Sequence, residues 1–540
     1  MKKQTTAGED WRKLVFGVYA LLMLTVTFIV IFVYRFVDYY LKADTGGYLL
    51  SNETLALLGI GLCGLSVWTI RRAGCARIEK ALACAGWRLV AVLSVLTFLL
   101  QAFICYHTHF TSVWDMLTVV ESAMAYASGE FEYFSQDYFS RCPNNLVLTV
   151  FYGSILRAVR AITHSEPGIE RFMVMLILMQ SVINVCVGAL IWKLTRDLLQ
   201  ENGKAPNLCA LGAWLLYFVL IGCSPWYLMP YSDSTVLGLP ILMIAIYARR
   251  NGRHGIAEAV AIGLLGGLAY LIKPQAMIPA IAILLCEGVR ILSRNTRRRA
   301  LTYVLSLVVC AAVMAGPVKA MIVSTVDVEL DPEKRLGLVH YFSMGLNPER
   351  SGQWDGREAE LMTYPTNAER DAYELQLAKD RIEAYGVNGL AEHAVKKCLV
   401  NFSDGSFTWK GLMNIKHPTA EKHPVISPLL REMVYEDGRY YPILHTIQQG
   451  AWLLVLMLCA AGVLVRRRMT DGDVLCAMML SVVGIVCFNM LFEARARYIY
   501  VMVPVMIVLA VLTLQAVVSK GLSMRRKKSA PRAEDAAAVD

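Results

Sequence analysis

The chain has 540 residues, 56% hydrophobic and 18% charged, with 53 Lys/Arg against 43 Asp/Glu, a formal net charge of +10. Soluble domains run nearer half apolar and a quarter charged, so this composition, with a mean hydropathy of +0.47, excludes a disordered chain, a coiled coil, a disulfide scaffold and an ordinary cytosolic enzyme. A polytopic all-α membrane protein remains. Positive charge would admit nucleic acid, but no basic face with interleaved aromatics appears, so no nucleic-acid partner is expected.

A spanning helix needs roughly 20 apolar residues. The first run, Leu14 to Tyr34, has 21 residues without a charge, too long for the apolar part of a signal peptide. Lys2, Lys3, Arg12 and Lys13 precede it. Further runs follow at 54–70, 89–106, 144–160, 172–192, 206–224, 233–248, 256–272, 275–289, 302–324, 446–465, 474–492 and 498–518, thirteen in all. The expected fold is a bundle of about 12–14 transmembrane helices with a smaller external domain. Residues 256–289 read as a hairpin turning at Lys273-Pro274.

Basic pairs and triplets lie between the runs: Arg71-Arg72, Arg249-Arg250, Arg297-Arg298-Arg299, Arg466-Arg467-Arg468 and Arg525-Arg526-Lys527-Lys528. Short basic loops mark the cytoplasmic side. Both termini are therefore expected inside a plasma membrane, which requires an even number of crossings. Thirteen is odd, and the conflict lies between 144 and 195. Either 144–160 does not cross fully, or 172–195 holds two short passes.

The expected organisation is an N-terminal transmembrane hairpin over 1–75, a catalytic transmembrane module over 76–325 with an external loop at 107–143, an external domain over 326–445, C-terminal transmembrane helices over 446–520 and a disordered cytoplasmic tail over 521–540. Block 326–445 carries 14 Lys/Arg and 19 Asp/Glu, a net −5, and the remainder is +15. Within it, 368–400 reads as a helix with apolar positions Tyr373, Leu375, Leu377, Ile382 and Tyr385. Most of the 14 cysteines lie in apolar runs, as small hydrophobes. Cys142 and Cys398 fall in external loops, where a disulfide between them stays open. The sequons at Asn52 and Asn401 have meaning only in a eukaryotic secretory pathway, and chance accounts for them.

Ionisable residues at the edge of a span are functional candidates. Asp115, in HTHFTSVWDMLTVVESA, either accepts a proton from an attacking hydroxyl or caps a helix. Asp233, in WYLMPYSDSTVLGLPI, is the only charge between Lys204 and Arg249. Lys273 is the only charge between Glu258 and Glu287, at an outer turn where an anionic ligand would explain it, unless it snorkels. Glu493, Arg495, Arg497 and Tyr498 share a short external turn, NMLFEARARYIYVMVP, fit for bidentate phosphate or carboxylate recognition or for an internal ion pair. Arg141 and Asn144-Asn145, in YFSRCPNNLVLTVFYGS, lie where the loop re-enters the membrane; Asn145 also reads as a helix cap. All these charges fall on one face. That suits an anionic lipid-linked substrate, with cations holding a phosphate leaving group and a carboxylate deprotonating the acceptor.

This set resembles the membrane-embedded GT-C glycosyltransferases, in particular the group of protein O-mannosyltransferases and the aminoarabinose transferase. The resemblance is carried by Asp115 in VWDMLTVV, Asp233 in MPYSDSTVLGLP and the hairpin IKPQ. YFSRCPNN, YSDSTV, LIKPQ and FEARARY look like bacterial family 39-like members. It runs over roughly 88–500 as dispersed motifs. A single Asp stands where the family has a paired acidic motif, with Glu121 six residues on, and an extra hairpin over 14–70 comes first. The resemblance implies an inverting glycosyltransferase that moves a sugar from a polyprenyl-phosphate carrier to a cell-envelope glycan, lipid or protein at the outer membrane face. Asp115 would be the base, Asp233 the second catalytic acid, and Lys273, Arg495, Arg497 and Tyr498 the donor-phosphate ligands, with Glu121, Arg141, Asn144 and Glu493 in support. No metal is expected at the site, although metal use varies across the superfamily. An O-antigen ligase or polysaccharide polymerase would concentrate its essential groups in the late loop. A lipid-linked saccharide transporter would place charges in mid-span cavities, where this chain has mainly Gln180 and Asn184.

Overall fold

The computed structural model describes residues 7–529 except 37–46, 73–74, 201–204, 249–254, 357–360, 362, 410, 414 and 466–471. The basic runs at 249–250 and 466–468 therefore lie outside the described residues. Helices dominate. In chain order they are α1 (Ala7–Phe28), α2 (Asn52–Arg72), α3 (Cys75–Thr108), α4 (Asp115–Ser128), α5 (Gln136–Arg141), α6 (Asn144–Thr163), α7 (Ile169–Gln200), α8 (Pro206–Tyr217), α9 (Ser232–Thr235), α10 (Gly238–Tyr247), α11 (Ile256–Ile272), α12 (Ile278–Arg290), α13 (Arg297–Val313), α14 (Lys319–Val323), α15 (Leu338–Gly345), α16 (Asn367–Phe402), α17 (Ile426–Val434), α18 (Tyr441–Ala460), α19 (Asp473–Leu491), α20 (Arg497–Tyr500) and α21 (Val503–Ser529). All thirteen apolar runs fall on helical elements, with 233–248 and 498–518 each divided by a two-residue turn. Among the described residues, seven helices are long and apolar enough to cross a membrane, and five shorter apolar helices accompany them.

Burial sorts the helices by position. Ile499 to Ala510, through α20 and into α21, are all buried, all round the helix, which is the pattern of a central helix. It packs on α7, α8 and α18. Helix α13 is peripheral: of its residues only Ala300, Tyr303 and Leu307 are buried, while Leu305, Val308, Val309 and Val313 face outward. Such exposed apolar faces match lipid rather than water.

Helices α11 and α13 approach closely through Gly263 and Gly267. A Cβ at Gly263 would stand 2.4 Å from the Leu307 carbonyl oxygen, and one at Gly267 would stand 2.5 Å from Met314 Cβ. This small-xxx-small spacing lets two backbones meet. Gly263→Val is expected to force them apart at a cost of about 1–3 kcal/mol, read as a lower thermal midpoint in detergent; an unchanged midpoint would contradict the packing.

The structure corrects several expectations. Helix α7 is one unbroken element of 32 residues, so two short passes within 172–195 are withdrawn. Helix α6 has the length and composition to cross. Helix α21 continues through Ser529, into the segment expected to be disordered, because Met, Arg and Lys are good helix formers; residues 530–540 lie outside the described residues. Helix α16 covers the expected 368–400, interrupted at Gly386 (φ 55°), but Tyr373, Leu375 and Ile382 are exposed. Its C-terminal end buries Leu399, Val400 and Phe402, but it also buries Arg370, Glu374, His393 and Lys397, because each finds a partner: His340 Nδ1 lies 2.5 Å from Glu374 Oε1. Cys142 and Cys398 are both free thiols. Both sequon asparagines are buried and engaged: Asn52 donates to the Val30 carbonyl at 2.9 Å and Asn401 to that of Lys397 at 2.9 Å.

Segments 107–143 and 326–445 are stitched together. Strand β1 (Phe110–Ser112) pairs antiparallel with β2 (Ile415–Pro418), in register Phe110 with Pro418 and Thr111 with His417. Ser140 Oγ accepts from Asp331 N at 2.9 Å, and Arg141 O accepts from Leu336 N at 3.1 Å. Asp137 pairs with Lys334 at 3.0 Å, and this hydrogen bond, with Arg141 nearby, holds the Asp137 carboxyl below its usual range.

Candidate functional site

The predicted residues meet at one end of the bundle, where α4, α9, the α11–α12 turn and α20 converge. Asp233 sits on α9, a single turn that Tyr231 precedes. Two residues on, Thr235 Oγ1 accepts from Gln180 Nε2 at 2.8 Å and also meets Tyr152 Oη at 2.7 Å. The mid-span Gln180 thus anchors α9. Asp233 caps no helix. Its carboxylate is fully buried, 2.6 Å from Lys273 Nζ. By distance this is an ion pair; among the described residues neither Asp233 oxygen accepts a hydrogen bond. Lys273 follows the last turn of α11, and Pro274 opens the 3-10 turn into α12. The side chain is buried, so it does not snorkel. Its ammonium lies 4.9 Å from the centre of the Tyr498 ring.

Arg497 opens α20, beside α9. Its guanidinium carbon lies 5.3 Å from the Trp114 ring centre, 5.8 Å from Tyr231 and 5.1 Å from Tyr498. Nη2 reaches Tyr498 Oη at 3.5 Å, while Nε and Nη1 are buried with no hydrogen-bond partner among the described residues. Such donors normally find an acceptor. Tyr498 Oη donates to Glu493, and Arg495 Nε stands 3.8 Å from the same carboxylate.

Asp115 opens α4 and makes no cap there. Its Oδ2 accepts from Tyr231 Oη at 3.0 Å. Trp114 meets Tyr231 edge-on at 4.8 Å between ring centres. Asn145, read from sequence as a cap, makes none; it is buried and donates to Tyr138 and to Tyr231. Asn144 donates to Asn145 Oδ1 at 3.3 Å. Tyr341 of α15 is held well above the usual phenol range by burial and then by Cys142, Tyr498, Glu493 and Asp115.

Two expected members stand elsewhere. Glu121, two turns along α4 from Asp115, is exposed and lines a separate open cavity of about 580 Å³ with Glu130, Glu166 and Arg160. Arg141 pairs with Asp137 on the surface. Among the described residues, no group of three His, Cys, Asp or Glu side chains is placed to hold a metal ion.

A family model described as a conserved hypothetical integral membrane protein matches residues 8–518. The chain belongs to that family. No curated protein and no solved structure matches it. The family match covers nearly the whole bundle and every residue of the site.

Sequence reading missed the supports of the 491–497 turn. Lys397 of α16 is buried and donates to the Gly345 carbonyl at 2.8 Å and that of Phe492 at 2.7 Å. Asn401 Oδ1 accepts from Arg495 N at 3.0 Å, and Gly352 O accepts from Ala494 N at 2.8 Å. These bonds set where Arg495 and Arg497 stand. Burial pushes the Lys397 ammonium down to about 7, with Glu493 opposing. The unfolded chain keeps that proton to about pH 10.4. Between these values the unfolded state binds more protons, so stability rises with pH; below about 7 both states are charged and the contribution is flat. From pH 7 to 9 the wild type should gain roughly 1–3 kcal/mol from this group. The gain should vanish in Lys397→Met, measured as the slope of the thermal midpoint against pH.

Proposed function

We propose that this protein is an inverting glycosyltransferase that takes a sugar from a polyprenyl-phosphate carrier at the outer membrane face and passes it to a cell-envelope acceptor. The observation that carries the reading is Arg497, a cation with two buried guanidinium nitrogens unspent, over the same Tyr498 ring as the buried Lys273. Two fixed cations with open donors fit a phosphate, which accepts several hydrogen bonds at once. Asp233 keeps Lys273 charged and in place. Tyr231 leaves the second Asp115 oxygen available to an acceptor hydroxyl.

In the reaction, the acceptor oxygen attacks the anomeric carbon from the face opposite the phosphate. Its proton passes to Asp115, acting as general base. The bond from the anomeric carbon to the phosphate oxygen breaks, and polyprenyl phosphate leaves with its charge held by Arg497 and Lys273. Configuration at the anomeric carbon inverts. The ligase-like alternative needs its essential groups in the late loop; here Lys397 and Asn401 of 326–445 hydrogen-bond the turn that carries Arg497.

The test is donor consumption by purified protein in lipid nanodiscs, across a panel of polyprenyl-phosphate hexoses and pentoses with a cell-wall extract as acceptor. Release of polyprenyl phosphate from one donor supports the reading. Tight binding of a donor with flux of intact donor across the membrane, and no release, would replace it with a transporter.

A further inference from the structure

We propose that Tyr231, seated by Asn145, is a positioning residue that aims Asp115 and ties it to the cations that hold the donor phosphate; this rests on the reading above and deepens it. The bonds form a directed chain. Asn144 Nδ2 donates to Asn145 Oδ1 at 3.3 Å, which fixes the Asn145 amide with its nitrogen toward the two phenols. Asn145 Nδ2 donates to Tyr231 Oη at 3.1 Å. A phenol has one hydrogen, and with its oxygen already accepting, that hydrogen goes to Asp115 Oδ2, 3.0 Å away. The carboxylate is held by one oxygen and presents the other.

The same ring belongs to the cation site. Tyr231 stands two residues before Asp233, the partner of Lys273, and its face lies 5.8 Å from the Arg497 guanidinium. It packs against Trp114, the residue before Asp115. Asn145 and Tyr231 are both buried, at 2% and 5% exposure, and sit on different elements, so the amide locks the start of α6 to the approach to α9. A phosphate drawing Arg497 and Lys273 toward itself acts on the ring that aims the base. Tyr231 touches neither the transferred sugar nor the breaking bond in this scheme; it acts through Asp115.

Tyr231→Phe removes one hydroxyl and keeps the ring against Trp114. Its kcat is expected to fall tenfold to a hundredfold with the donor KM within about threefold, the signature of a group that acts on the chemical step. Asn145→Ala should move in the same direction, by less. A second readout does not depend on turnover. Dicyclohexylcarbodiimide reacts with protonated carboxyls that lack a donor, and labelling of the Asp115 peptide is read by mass spectrometry. Labelling is expected to rise at least threefold in Tyr231→Phe. It should stay at the wild-type level in Tyr152→Phe, which loses a buried hydroxyl bonded to Thr235 and Gln180. Equal labelling in wild type and Tyr231→Phe would overturn the proposal, as would a raised KM at unchanged kcat. A wild type inert toward every donor would remove the glycosyltransferase reading, while the labelling comparison would still decide whether Tyr231 controls Asp115.

Discussion

Lys273→Met is expected to destabilise the protein by about 3–5 kcal/mol, because it leaves the fully buried Asp233 charged and unpaired. The compensating change Asp233→Asn in the same chain should restore most of that loss, since replacing both members of a buried pair is often close to neutral. The comparison uses thermal midpoints of the two single variants and the double variant in one detergent. Donor consumption should be lost in both variants that carry Lys273→Met, because the site no longer has that cation. A double variant no more stable than Lys273→Met would mean that Lys273 matters by its packing and not by its charge.

The second large effect separates function from stability. Arg497 loses its ring contacts in Arg497→Met, each worth about 0.5–2 kcal/mol. It also ends the cost of burying Nε and Nη1 without acceptors, about 1–3 kcal/mol for such groups. The two nearly cancel, so the thermal midpoint should stay within a few degrees of wild type. Binding of polyprenyl phosphate should weaken at least a hundredfold, because a charge-assisted pair is removed from a buried site. Fluorescent polyprenyl phosphate titrated into nanodiscs measures this. A stable variant with wild-type affinity would take the phosphate site away from Arg497. Active sites commonly trade stability in this way.

Most of the fold was legible because spans announce themselves by length and hydropathy, and eleven of the thirteen runs follow one helical stretch, while 233–248 and 498–518 are each divided by a turn. The exceptions have physical reasons. In α16 Tyr373, Leu375 and Ile382 are exposed while Glu374 and Lys397 are buried, since hydropathy cannot foresee that His340 or two main-chain carbonyls will receive them. The close α11–α13 packing rests on Gly263 and Gly267, which a scan for bulk overlooks.

At the site, isolated charges were the readable signal. Asp233 and Lys273 are each the only charge in a long apolar stretch, and a lone buried charge needs a partner; the structure pairs the two. Asp115 and Arg497 come to the same place. Glu121 was drawn in by spacing along the chain alone, and two helical turns carry it out of the site. Tyr231 and Lys397 were not readable as site residues, and Asn145 was readable only as a candidate at the loop's re-entry or a helix cap, not by its partner. Neutral or helix-borne, they act by hydrogen bonds to residues 86, 86 and 95 positions away, and no local pattern encodes such a pairing.

The most direct measurement is single-turnover transfer from the donor that the wild type consumes, made with wild type and Asp115→Asn, with donor affinity measured on the same preparations. Asn keeps the size of the side chain and can still meet Tyr231, but it cannot take the proton. The expected result is a rate lower by at least about a thousandfold, near the range of a lost general base, with donor affinity within threefold of wild type. A rate within threefold of wild type, or a loss of affinity as large as the loss of rate, would contradict the assignment of Asp115 as the base.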